Sequence, residues 1–72
     1  MSRNIVMKFK VKYKNWLSDP DYQIEEKNGK YIIHRVGYCF NVAEVLNLNE
    51  MAIRSALDKS KDLDAEIIDI IF

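Results

Sequence analysis

The sequence predicts a small α+β fold: an antiparallel sheet built from a first strand, a β-hairpin and a C-terminal strand, with a pair of helices covering one face. Three observations lead there. Lysine alternates with apolar side chains in "MKFKVKYK", Asn28-Gly29 sits between two apolar-rich runs, and the spacing of apolar residues turns helical from Asn41 onward. With 72 residues, of which 49% are hydrophobic, the chain reads as one domain over residues 1–72 whose apolar runs are mostly needed for a modest core.

Taken in order, Ile5, Met7, Phe9, Val11 and Tyr13 alternate with lysines, the period-2 pattern of a strand with one buried and one wet face, over about residues 4–14. "WLSDPDY" interrupts it with a proline and two aspartates, which favour a loop. Asn28-Gly29 accepts the positive φ angles of a type I′ turn. That turn places Lys27 opposite Lys30, Glu26 opposite Tyr31, Ile24 opposite Ile33 and Tyr22 opposite Arg35. Tyr22, Ile24, Tyr31 and Ile33 then form a core stripe, and Gln23, Glu25 and His34 the polar face.

Asn41 followed by Glu44 has the spacing of a helix cap, and Val42, Val45 and Leu46 share one face of a short first helix. Asn47-Leu48-Asn49 breaks it, and a second helix over about 50–59, capped by Asn49, buries Met51, Ile53, Ala56 and Leu57 in part. The tail "AEIIDIIF" is rich in β-branched residues and is expected to be a strand.

Formal net charge is zero, but its distribution is uneven. Residues 1–16 carry Arg3, Lys8, Lys10, Lys12 and Lys14 without an acid, whereas residues 39–72 carry seven acids against three bases. The basic first strand and acidic tail strand can therefore lie side by side, with Lys8 to Lys14 near Glu66 and Asp69, or face different partners. The apolar runs are too short for a membrane span and the N-terminus has no apolar signal core, so a cytoplasmic protein without a membrane partner is expected. Cys39 is the sole cysteine and is expected to be a buried small hydrophobe rather than part of a metal or redox pair.

Nothing in the spacing points to catalysis. His34 is the lone histidine and has no nucleophile or carboxylate tied to it by sequence; adjacent Glu25 and Glu26 point to opposite faces of a strand. No phosphate loop, metal set or cofactor motif is present, so the expectation is a non-enzyme without cofactor or metal. Most of the eight aromatic residues are assigned to the core, and Trp16, at the end of the first strand, to a protein interface.

"VAEVLNLNEMAIRSALDKS", Val42 to Ser60, resembles the helix-turn-helix of bacterial transcription regulators, most closely the DeoR-type family. Ala43 stands at the close-packing position of the first helix, Leu46, Leu48 and Ile53 at core positions, and Asn49 at the cap of the recognition helix. Asn49, Ala52 and Ser55 replace the serine, threonine and second arginine usual there. The resemblance implies that Glu50, Met51, Ala52, Arg54 and Ser55 face a major groove, with Arg54 holding a base edge or phosphate. It implies a DNA-binding regulator contacting double-stranded DNA through Arg54, Ser55, Asn49 and Met51, with Lys8, Lys10, Lys12 and Lys14 on the backbone and a homodimer formed at an exposed sheet edge. The alternative from charge and size is a protein-binding inhibitor or adaptor of the phage or mobile-element type. It would block a partner enzyme through Trp16 or a nucleic-acid-mimicking acidic face of Asp62, Asp64 and Glu66.

Overall fold

The computed structural model describes residues 4–72; Arg3, part of the basic N-terminal run, lies outside the described residues. The order of elements is β1 (Ile5–Tyr13), β2 (Asp21–Lys27), β3 (Lys30–Arg35), β4 (Asn41–Val45), α1 (Glu50–Ser60) and β5 (Ile67–Ile71). The five strands form one antiparallel half-barrel in the order β4-β3-β2-β1-β5, and α1 packs on it between the two edge strands.

The first strand and the hairpin follow the alternation. Phe9, Val11 and Tyr13 are buried while Lys8, Lys10 and Lys12 between them are exposed. Asn28 and Gly29 take φ of 53° and 78°, and the β2–β3 register pairs Tyr22 with Arg35, Ile24 with Ile33, Glu26 with Tyr31 and Lys27 with Lys30. A two-residue turn with both φ angles positive twists in the same sense as its strands, which is why the dipeptide sets this register.

The predicted helix pair is not formed. Asn41–Val45, expected as the first helix, is strand β4, which pairs along β3 with Tyr31 opposite Val45, Ile32 opposite Glu44 and Ile33 opposite Ala43. A cap-like Asn41–Glu44 spacing contributes about 1 kcal/mol at most to a short helix. Pairing β4 instead satisfies the edge of β3 and carries Val45 into the core, so the nonlocal ladder outweighs the local signal. Among the described residues the fold is therefore a mostly β structure with a single helix, and the helix-turn-helix geometry is absent.

That one helix matches its sequence signals. Asn49 is the N-cap, its Oδ1 accepting from the Ala52 amide at 2.8 Å, and Lys61 closes the other end in the left-handed region, donating its N–H to Leu57 O. Ile53 and Leu57 are buried against Phe9, Val11, Tyr13, Tyr22, Ile24, Ile33, Val45, Ile67 and Ile70, with Ala56 packed beside them. Met51, expected to be partly buried, is 82% exposed because it precedes the buried stripe by half a turn. Cys39, expected inside, is exposed in the β3–β4 connection.

The tail forms β5, antiparallel to β1, which brings the acidic end of the chain beside the basic first strand: Lys12 stands opposite Asp69 and Lys14 Nζ lies 3.8 Å from Glu66 Oε2. Among the described residues, no helix is long and apolar enough to cross a membrane.

Candidate functional site

Two features stand out beyond the core. The first is a polar cluster inside the half-barrel. β1 and β2 place Tyr13 and Tyr22 on the helix-side face, β3 places Arg35 opposite Tyr22, and the turn after α1 delivers Asp62 to Tyr22 and Arg35. Tyr22 donates its hydroxyl proton to Asp62 Oδ2 at 2.8 Å, and the Tyr13 and Tyr22 hydroxyls are 2.9 Å apart. A phenol has a single proton, so Tyr13 is the donor in that second bond. Arg35 Nε lies 3.0 Å from the same Asp62 oxygen without the alignment of a hydrogen bond, which makes the contact an ion pair. The guanidinium also sits 4.3 Å from the centre of the Tyr38 ring, which makes a T-shaped contact with Phe40. The Asp62 side chain is only 4% exposed.

Burial, the bond to Tyr13 and the bond to Asp62 push the Tyr22 phenol well above its ordinary value of 10.0. Burial also raises Tyr13, against the lowering effect of its bond to Tyr22. The folded state thus holds both protons more tightly than the unfolded chain does. Their stabilisation is full below the unfolded value near 10 and is lost as pH climbs above it toward the folded values. In an alkaline titration followed by phenolate absorbance, Tyr13 and Tyr22 are expected to ionise only together with unfolding. Ionisation of Tyr13 and Tyr22 while the near-ultraviolet dichroism stays native would contradict the cluster.

The second feature is an open groove of about 460 Å³ lined by Lys8, Phe9, Lys10, Asp21, Tyr22, Gln23, Val36, Ile71 and Phe72. By strand register Lys8, Lys10, Asp21, Gln23 and Ile71 share the sheet face that Phe9 and Tyr22 turn away from. Val36, Ile71 and Phe72 remain 56%, 42% and 58% exposed, with Phe72 against Phe9 at 5.9 Å. Lys10 Nζ is 2.7 Å from Asp21, which raises its pKa through that hydrogen bond and charge. Lys8 and Lys12 make no ion pair among the described residues.

The residues singled out from sequence are dispersed. Lys8, Lys10 and Lys12 line one face of β1, and Lys14 follows in the turn. Arg54, exposed on α1, donates from Nη2 to the Ile67 carbonyl at 3.0 Å, Ser55 and Met51 are exposed on the same helix, and Asn49 caps it. Trp16, 46% exposed, leans on Tyr13. Asp62 is buried in the cluster, while Asp64 and Glu66 are exposed beside Asp58 and Lys61 at the end of the helix. Of the aromatic residues assigned to the core, Tyr38, Phe40 and Phe72 are exposed. His34, on the polar side of the hairpin, is buried with Nε2 2.9 Å from Glu25 Oε1. Val36, Ile71 and Phe72 carried no sequence signal as site residues; only the pairing of β5 beside β1 brings them together.

The chain matches no protein-family model, no curated protein and no solved structure. Fold and surface chemistry define it as a five-stranded antiparallel half-barrel closed by one helix, with an apolar groove bordered by lysines.

Proposed function

We propose that the chain is a non-catalytic protein-binding module, an inhibitor or adaptor, that engages its partner through the groove at Val36, Ile71 and Phe72. The observation that supports this most is the convergence of three large, half-exposed apolar side chains on one concavity in so small a protein. Exposed apolar side chains that cluster in a concavity characterise interaction sites more than bare surface. Lys8, without an ion-pair partner among the described residues, adds a cation at its rim, which suits a partner segment pairing an apolar side chain with a carboxylate.

Duplex DNA is the rival partner. The docking inferred from a helix-turn-helix has lost its first helix, and the phosphate surface is partly neutralised, since Lys10 and Lys14 pair with Asp21 and Glu66. One pair of measurements separates the readings. The wild-type chain and an Ile71→Ser/Phe72→Ala variant of unchanged dichroism serve as bait for extract of the source cells, and both are titrated with pooled duplex DNA across a salt series. The expected result is one protein retained in stoichiometric amount by the wild type, with affinity weakened roughly thirtyfold or more in the variant. DNA binding that falls steeply with salt and ignores the variant would overturn the proposal in favour of nucleic acid.

A further inference from the structure

Edge strands expose a ladder of unpaired backbone groups, and β5 is an edge made almost entirely of isoleucine, "IIDII", a palindrome about Asp69. Such a strand is suited to pair antiparallel with its own copy across a two-fold axis. Which of its groups face outward follows from the neighbouring strand. The Val11 amide is directed to Pro20 O on the β2 side, and in an antiparallel ladder a residue's N–H and C=O point the same way. Val11 and its partner Ile70 are therefore a non-hydrogen-bonded pair, and Ile70 turns its backbone groups to the open edge. Asp69, opposite Lys12, turns its backbone groups to β1, and the register shift between Lys12 and Tyr13 makes Ile67, opposite Tyr13, the next outward-facing position, three residues from Ile70 rather than two.

Side chains of the chain itself occupy groups of this edge. The Ile70 amide donates to Asp69 Oδ1 at 2.9 Å, and Arg54, reaching from α1, donates from Nη2 to Ile67 O at 3.0 Å. The register shift adds a third obstacle, since an incoming straight strand meets outward groups with uneven spacing. A two-fold pairing centred on Asp69 also sets two carboxylates directly opposite each other, a destabilising arrangement.

We propose that Asp69 and Arg54 are edge guards that prevent β5 from pairing with β5 of a second copy, and that removing them converts the chain into a β5-linked homodimer. This assignment is independent of the groove reading, and it gives Arg54 a task within the chain where sequence placed it on DNA. Wild type, Asp69→Ala and Arg54→Met are compared by sedimentation velocity from micromolar to millimolar concentration, with amide exchange of Ile67 and Ile70 as the local readout. The wild type is expected to stay monomeric. Asp69→Ala is expected to self-associate at least about tenfold more tightly, with the Ile70 amide slowing as the dimer forms. Arg54→Met keeps the aliphatic stem and loses only the guanidinium, so it reads the same edge should Asp69→Ala fail to fold; it too must gain mass with concentration. Folded variants that remain monomeric over the whole range, or a wild type already dimeric through β5, would overturn the proposal.

Discussion

Asp62→Ala is expected to lower the unfolding free energy by about 2–4 kcal/mol, because it removes one partner of a buried pair and leaves the others unsatisfied. The carboxylate accepts from Tyr22 and faces Arg35 within 3.0 Å, and its side chain is almost wholly out of water. Truncation strands a buried phenol proton and a partly buried guanidinium edge, while the replacement of both charges at once would cost far less. For a domain of this size the loss corresponds to a melting point lower by something on the order of 10–20 °C. Asp62→Asn keeps an acceptor for Tyr22 and loses the charge, so it is expected between the two. Tyr22→Phe combined with Asp62→Ala closes a double-mutant cycle whose coupling measures the Tyr22–Asp62 bond. An Asp62→Ala protein that melts with the wild type would mean the cluster contributes nothing net to the fold.

The same cluster shows where sequence reasoning stops. Its strand half was legible: the Asn28-Gly29 turn sets a register from which the Tyr22–Arg35 pairing follows residue by residue. Its third member was not. Asp62 lies forty residues beyond Tyr22 in an acidic run that reads as a solvated face, and only the docking of α1 and its left-handed end at Lys61 turns that carboxylate inward. Burial of a charged side chain depends on partners that arrive from other elements, and local pattern carries no record of them.

The segment Asn41–Val45 failed for a related reason. Val42, Val45 and Leu46 are compatible with either period over so few residues, and the capping pair tilted the choice toward helix. What decided it was the unpaired edge of β3, a property of the sheet rather than of the segment. The lysine row of β1 resolved the other way. Alternation alone predicted a wet strand face, and the acidic tail strand settled beside it, so a charge asymmetry that suggested separate partners is in part an internal one. The groove was invisible because Val36 and Ile71–Phe72 are distant in sequence and unremarkable singly.

Ile53→Ala is expected to be as costly as loss of Asp62, about 2–5 kcal/mol, because it opens a cavity at the point where α1 meets the sheet. Ile53 is fully buried, and with Leu57 it supplies the buried stripe of α1. An eleven-residue helix is too short to persist in water by itself, so caps at Asn49 and Lys61 hold its ends but packing holds the helix. A domain of this length has a total stability on the order of 4–11 kcal/mol. The substitution therefore consumes a large fraction of it, and helix dichroism and core fluorescence are expected to be lost in one transition at a reduced urea midpoint. Met51→Ala, two residues earlier on the same helix, provides the control: its side chain is in solvent, and the change should stay within about 0.5 kcal/mol of wild type. Were the segment part of a helix pair with Met51 directed to a groove-reading face, Met51 would still be silent in stability, so the contrast alone would not separate the folds. The separation comes from Ala43→Gly. In strand β4 this position faces Ile33, and glycine there weakens the ladder and the edge of the core by roughly 1 kcal/mol. In a helix pair glycine would keep the close approach that alanine allows, leaving only its helix-propensity cost. Amide exchange that rises along both Asn41–Val45 and its partner Tyr31–His34 in Ala43→Gly is the signature of the ladder; a rise confined to 41–45 would contradict it.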